Sequence, residues 1–189
     1  MTVDHAESGT RARTRRAILE AAITVWGRDP GASLADIAAA AQVGRTTLHR
    51  YFPERSDLSV ALGLEVVARI HAAAQRARLA EDPAAEALGR LCQEYFELAD
   101  ALAIMFNGSQ LVDDDTWAAA GCSADLLPVV ERGHADGSVD SELTPVWVEN
   151  LLWALLYASW AHMGTSGSSK PEAMRLLTRS FQGAIRGRA

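Results

Sequence analysis

The chain has 189 residues, of which 49% are hydrophobic and 22% are charged, so it can bury a core without disulfide or metal cross-links. These values exclude an intrinsically disordered chain, and two cysteines are too few for a disulfide framework or a four-thiolate zinc site. No apolar run reaches the roughly 18 residues of a membrane span, and the polar N-terminus does not resemble a secretory signal. We therefore expect a cytoplasmic protein with no membrane partner.

The net charge of −6 is unevenly distributed along the chain. Residues 9–60 contain eight arginines against five acidic residues, whereas residues 61–189 contain ten basic and seventeen acidic residues. A net negative charge argues against a general polyanion binder, but the basic N-terminal part can approach nucleic acid.

Helical spacing of apolar residues, and the lack of apolar–polar alternation between hairpin turns, predict an all-α fold after a disordered tail over residues 1–9. Capping patterns support several starts: Ser33 with Asp36 forms a capping box, and Thr144-Pro145 is an N-cap followed by proline. The expected helices cover about residues 10–27, 34–41, 45–51, 55–79, 83–105, 109–120, 123–135, 144–163 and 169–186.

The two short helices at 34–41 and 45–51 are separated by a tight turn and follow a longer first helix. This order predicts a helix-turn-helix, in which the second short helix enters the major groove of DNA. That helix is rich in hydrogen-bond donors and has no acidic residue, while Leu48 and Phe52 provide inward anchors. These features favour a surface that lies against phosphates and base edges.

The stretch SLADIAAAAQVGRTTLHRYFPERSDL, from Ser33 to Leu58, resembles the TetR-type transcriptional regulators. The resemblance implies a helix-turn-helix domain over residues 10–54 and a ligand-binding and dimerisation domain over residues 55–189. It also implies a homodimer, usually a repressor, that binds a palindromic operator in double-stranded DNA and releases it when a small, largely apolar molecule binds. The chain departs from the family pattern at Gln42, where glycine is frequent, and at Gly44, where serine is frequent.

Carried over by position, the resemblance implies phosphate contacts for Tyr51 and Arg55 and base contacts for Arg45, Thr46 and His49. The predicted DNA-binding residues are Ser33, Arg45, Thr46, Thr47, His49, Arg50, Tyr51 and Arg55. The preceding arginines, Arg11, Arg13, Arg15 and Arg16, fit either a solubilising tail or an arm that contacts DNA, and their spacing does not decide between the two.

Aromatic residues concentrate beyond residue 90, where they can pack the core or line a ligand cavity between helices. The family resemblance favours the cavity, with Asn150 as a polar selector. The predicted ligand-binding residues are Cys92, Tyr95, Phe96, Trp117, Asn150, Trp153 and Tyr157.

Two apolar helical faces, on the helices at about 144–163 and 170–186, predict a four-helix dimer interface with two helices from each subunit. The alternative is that these faces close the core of the monomer. The predicted interface residues are Trp147, Leu151, Ala154, Leu155, Ala158, Ala161, Leu176, Leu177, Phe181, Ala184 and Ile185.

An enzymatic function rests on weaker signals. Glu131 and His134 form a single Glu-x-x-His motif, whereas a di-iron bundle requires two such motifs and two further glutamates. We therefore predict a non-enzymatic protein with no metal and no cofactor. Two alternatives stay open: a helical ligand-binding or interaction protein whose helix-turn-helix no longer binds DNA, and, behind it, a catalytic bundle.

Overall fold

In the computed structural model, residues 3–81, 83–106 and 126–186 are described, and within them all regular secondary structure is helical. The all-α prediction is therefore confirmed. The helices are α1 (Val3–Arg28), α2 (Leu34–Ala40), α3 (Arg45–Tyr51), α4 (Arg55–Arg76), α5 (Ala84–Phe96), α6 (Ala99–Phe106), α7 (Leu127–Asp136), α8 (Pro145–Ser166) and α9 (Lys170–Ile185).

Several helix ends differ from the sequence prediction. The first helix begins at Val3, within the segment expected to be a tail, and α4 ends at Arg76 because Arg78 takes a left-handed φ of 50°. The predicted helix at 83–105 is two helices, since the Leu98 N–H bonds back to the Tyr95 carbonyl at 3.0 Å and tightens the last turn of α5. The helix predicted at 109–120 lies outside the described residues.

The chain divides into two compact units, and the division falls inside α4, after Ala68. The first unit includes α1, α2, α3, the first part of α4, and α6. Helix α1 packs on α2, and α2 packs on α3, around the fully buried side chains of Ile18, Trp26 and Ile37. These contacts hold the two short helices against a longer one.

The second unit includes the remainder of α4, together with α5, α7, α8 and α9. Helix α5 contacts α7, α8 and α9, and its buried face includes Leu88 and Leu91. At Gly133 of α7, an added Cβ would lie 2.9 Å from the Ala84 Cβ, so glycine permits the close approach of α7 to α5. None of the helices in the described ranges is long and apolar enough to cross a membrane.

Candidate DNA-binding and ligand-binding sites

The predicted capping box at the start of α2 is confirmed. The Ser33 Oγ accepts the Asp36 N–H at 3.2 Å, and the Asp36 Oδ2 accepts the Ser33 N–H at 2.8 Å and the Ser33 hydroxyl at 2.6 Å. These bonds, the hydroxyl bond first, hold the pKa of Asp36 below its ordinary value. Ser33 is a predicted DNA-binding residue, and its hydroxyl is engaged by Asp36.

The turn between α2 and α3 forms without the glycine that the family pattern favours. Gln42 takes a φ of 55°, the left-handed region, and the Val43 N–H donates to the Ala38 carbonyl at 2.9 Å. A non-glycine residue in this conformation costs roughly 1 kcal/mol. Helix α3 then begins after Gly44, whose carbonyl accepts the N–H of Thr47 at 2.9 Å.

Helix α3 has one apolar face and one face of hydrogen-bond donors. Leu48 is buried at the first face, whereas Arg45, Thr46, His49 and Arg50 are exposed. Thr47 and Tyr51 are half-buried, and Phe52 after the helix is buried. Because the exposed face has donors and no acid, it can approach phosphates and base edges without repulsion.

Two acidic side chains border this face. The guanidinium of Arg45 contributes to the lowered pKa of Asp36, and Glu54 lies with Arg45 and His49 on one groove of about 390 Å³. The Arg50 guanidinium lies 5.7 Å from the centre of the Tyr51 ring. Arg50 therefore packs against its neighbour Tyr51, and Arg45 lies near two carboxylates.

The four N-terminal arginines lie on α1. The guanidinium of Arg13 donates to the Thr10 hydroxyl at 2.9 Å, and that of Arg15 lies 5.7 Å from the centre of the Phe52 ring. Both contacts are local to the first unit.

Arg55 is predicted to contact a phosphate, and both of its terminal nitrogens donate hydrogen bonds to backbone carbonyls of the same chain. Its Nη1 donates to the Ala32 carbonyl at 2.7 Å and its Nη2 to the Pro30 carbonyl at 2.6 Å. Its guanidinium also lies 4.4 Å from the centre of the Trp26 ring. The pairing of Trp26 with Arg55 cannot be predicted from spacing along the chain, because only the fold brings these two side chains together.

In the second unit, four aromatic side chains of α5 and α8 form two stacked pairs. The rings of Tyr95 and Trp153 lie 5.2 Å apart with an interplanar angle of 13°, and those of Phe96 and Trp160 lie 6.3 Å apart. The Trp153 Nε1 donates to the Glu149 carboxylate at 3.4 Å. We call Tyr95, Phe96, Trp153 and Trp160 the aromatic cluster.

Some of the predicted ligand-binding residues do not join the aromatic cluster. Asn150, the predicted polar selector, is exposed in the single chain, and Tyr157 is 55% exposed. Cys92 is buried on α5, and burial raises the pKa of its thiol to about 12. Trp117 lies outside the described residues. Glu149 is a polar side chain in contact with the aromatic cluster, and its i, i+4 spacing to Trp153 is a sequence signal for that contact.

The predicted dimer residues divide into two groups. Exposed or half-buried are Trp147, Leu151, Ala154, Leu155, Ala158, Ala161, Leu176 and Ala184. Leu177, Phe181 and Ile185 are buried within the single chain, where they pack its own core. Their spacing placed them on an apolar face but could not show which neighbour covers it.

Within the described residues, no group of three or more histidine, cysteine or acidic side chains is placed to hold a metal ion. His134, considered as a metal ligand from its motif, has its Nε2 at 3.0 Å from the Leu143 carbonyl.

Residues 18–62 match the family described as "Bacterial regulatory proteins, tetR family". Over 162 residues the chain is 38% identical to the HTH-type transcriptional repressor LfrR of Mycolicibacterium smegmatis, a match that spans 85% of this chain and 84% of that protein. The crystal structure of LfrR in complex with proflavine is similar with a TM-score of 0.76 at 34% identity, over 93% of this chain and 98% of that one. A TetR family transcription regulator from Marinobacter aquaeolei VT8 shares the fold, with a TM-score of 0.72 at 19% identity over 93% and 96% of the two chains.

Proposed function

The chain belongs to the TetR family of bacterial transcriptional regulators, and from this premise we propose that it binds a palindromic operator as a homodimer and releases it when a flat, largely apolar ligand binds. One observation carries the proposal: α3 exposes Arg45, Thr46, His49 and Arg50 on a face without acids. Arg45, at the N-terminal end of α3, is suited to read a base edge, because the first residues of a recognition helix reach deepest into the groove. In this proposal, as in the sequence prediction, residues 10–54 bind DNA, and residues 55–189 bind the ligand and form the dimer.

The aromatic cluster supports a flat ligand. Proflavine, which is bound in the LfrR crystal structure, is a planar aromatic cation. In this chain, the rings of Tyr95 and Trp153 are parallel within 13°, and Glu149 places a carboxylate at the edge of Trp153. A planar cation can stack on the Trp153 ring while its charge is paired with Glu149.

The exposed apolar residues of α8 and α9 support a dimer. Val146 is 66% exposed, Trp147 57%, Tyr157 55% and Leu176 41%, so both helices leave large apolar side chains uncovered in the single chain. Two helices from each subunit would cover this surface in a four-helix interface. A dimer then places two α3 helices on successive major grooves, which lie about 34 Å apart.

Ligand release follows if the bound ligand favours another separation of the two α3 helices. A coupling of roughly 1–3 kcal/mol between the ligand and DNA sites is enough for a useful switch. Because coupling is reciprocal, operator DNA must weaken ligand binding by the same factor by which the ligand weakens DNA binding.

Selection of bound sequences from a random duplex pool tests the DNA part of the proposal. We expect a palindromic winner with two half-sites, bound with an affinity that falls as salt rises. A chain that selects no sequence but still binds proflavine would instead be a ligand-binding protein whose helix-turn-helix does not bind DNA.

Titration of proflavine with and without the selected operator tests the switch. We expect weaker proflavine binding in the presence of operator, and equal affinities in the two titrations would contradict the proposed coupling. Glu149→Gln should weaken proflavine binding roughly three- to tenfold by removing the paired charge. Glu142→Gln, which removes the same charge from the exposed segment before α8, should leave it unchanged.

A further inference from the structure

Arg55 connects three parts of the first unit that are distant in sequence. Through its two terminal nitrogens it reaches the carbonyls of Pro30 and Ala32, in the turn between α1 and α2. The same Ala32 carbonyl accepts the Trp26 Nε1–H at 3.0 Å, and the Arg55 guanidinium lies over the Trp26 ring at 4.4 Å. The end of α1, the turn and the start of α4 are thus held by one side chain.

Two other hydrogen bonds of this turn do not reach α4. The Ala32 N–H donates to the Asp29 carbonyl at 3.1 Å, and the Gly31 N–H donates to the Asp29 carboxylate at 2.9 Å, so both bonds are internal to the turn. Bonds from a guanidinium are charge-assisted and stronger than those between neutral groups. Arg55 therefore provides the strong link between this turn and α4.

The position of the turn determines where α2 starts. Ala32 immediately precedes Ser33, the N-cap of α2, and α2 packs on α3. A shift at Ala32 therefore moves the helix that supports the donor face of α3. Base contacts require side chains held within a fraction of an ångström, so small shifts weaken them.

We propose that Arg55 is a positioning residue of the DNA-binding unit and not a phosphate ligand. It holds the turn between α1 and α2 against α4, and it thereby sets the place of α2 and α3. The inference rests on the proposed DNA binding for its effect on affinity, but the contact with Trp26 exists without DNA. The two can therefore fail separately.

Lysine distinguishes the two roles. A phosphate contact needs a positive charge, which an ammonium group supplies as a point charge. The observed contacts need a flat fork that bonds two carbonyls while it stacks on an indole ring, which lysine cannot do. Arg55→Lys should therefore rescue a phosphate role and fail to rescue a positioning role.

The test compares Arg55→Lys and Arg55→Ala in the full chain, with binding to the selected operator measured over a series of salt concentrations. We expect both variants to lose at least about fivefold in affinity at every concentration, with an unchanged slope of log affinity against log salt. Arg50→Ala, at an exposed arginine of α3, is the positive control and should lower the slope by about one. Wild-type affinity in Arg55→Lys, or a slope lowered by about one in Arg55→Ala, would overturn the proposal.

A second measurement does not depend on DNA. The contribution of Trp26 to fluorescence is obtained by subtracting the spectrum of Trp26→Phe, once in the wild-type background and once in the Arg55→Lys background. We expect the Trp26 emission to shift to longer wavelength in the lysine background, because the ring loses its stacked partner and gains water. An unchanged Trp26 emission would overturn the proposal, even if Arg55→Ala does not fold and even if the wild-type chain binds no duplex.

Discussion

Helices α3 and α8 both leave many side chains exposed, but the chemistry of the two exposed sets is opposite. Helix α3 exposes Arg45 and Arg50 with their donors, whereas α8 exposes Val146, Trp147 and Tyr157, each more than half accessible. Exposed donors form hydrogen bonds with water in the free protein, while exposed apolar side chains gain free energy when they are covered. The difference fits the proposed roles, in which α3 meets DNA and α8 is covered by a second subunit.

The two helices also differ in how their N-termini are capped. Helix α8 has a side-chain cap, since the Thr144 hydroxyl accepts the Trp147 N–H at 3.2 Å. Helix α3 starts after Gly44, which has no side chain to offer. Helix α8 is thus stabilised locally and by a buried face, whereas α3 depends more on its anchors Leu48 and Phe52.

The largest expected effect comes from placing a charge on the apolar surface of α8 and α9. Leu176→Glu should dissociate the proposed dimer, because a symmetric interface would bury two unpaired carboxylates at about 3–5 kcal/mol each. Sedimentation velocity should show the monomer mass, and binding to a two-half-site operator should fall with it. The fold should persist, since Leu176 is 41% exposed in the single chain.

Ala135→Glu, at an exposed position of α7, adds the same charge outside that surface and should leave the mass unchanged. A Leu176→Glu protein that sediments as the wild type would contradict the proposed interface. Deletion of residues 170–189 is a poorer test, because it also removes Leu177, Phe181 and Ile185 from the core.

A smaller effect is expected on the donor face of α3. Arg45→Ala should cost about 1–3 kcal/mol in binding to the selected operator and relax the preference at one base pair of each half-site. Competition binding with single-base variants of the operator measures both. Arg175→Ala, at an exposed arginine of α9, removes the same charge and should leave the base preference intact. If the Arg45→Ala variant distinguishes the single-base variants as well as the wild type does, Arg45 does not contact a base.

The cap of α8 should contribute less again. Thr144→Ala leaves the Trp147 N–H without its acceptor and should lower the free energy of unfolding by about 1 kcal/mol. Urea unfolding followed by circular dichroism measures this loss. Thr165→Ala, near the other end of α8, removes a hydroxyl that bonds only within the helix and should change stability less. Equal losses in the two variants would show that the cap adds nothing specific.

The smallest expected effect is a gain at α3. Gly44→Ser should raise the free energy of unfolding by a few tenths of a kcal/mol, because serine can accept the Thr47 N–H as the Thr144 side chain does in α8. The site has room: the nearest atom to an added Cβ is the Thr47 Oγ1 at 3.9 Å. Its φ of −68° also suits any residue. A loss of stability in the same urea assay would show that the turn requires glycine for another reason.

Features that depend on neighbours along the chain can be predicted from the sequence alone. The Ser33–Asp36 capping box, the Thr144-Pro145 start and the inward anchors Leu48 and Phe52 were all predicted from spacing. Each reflects one or two turns of helix, where the backbone fixes which side chains meet. The motif around α3, together with its resemblance to a known family, also identified the class of the protein.

The folded structure is needed to know what covers each surface and which partner each long side chain takes. Arg55 was expected on DNA, but the carbonyls of Pro30 and Ala32 and the ring of Trp26 lie within its reach. Phe181 was expected at a partner chain, yet it is buried in its own. Helical periodicity shows whether a face of a helix is apolar or charged. It does not show which distant residue the fold places against that face. That choice depends on contacts between segments far apart in sequence, which no local pattern encodes.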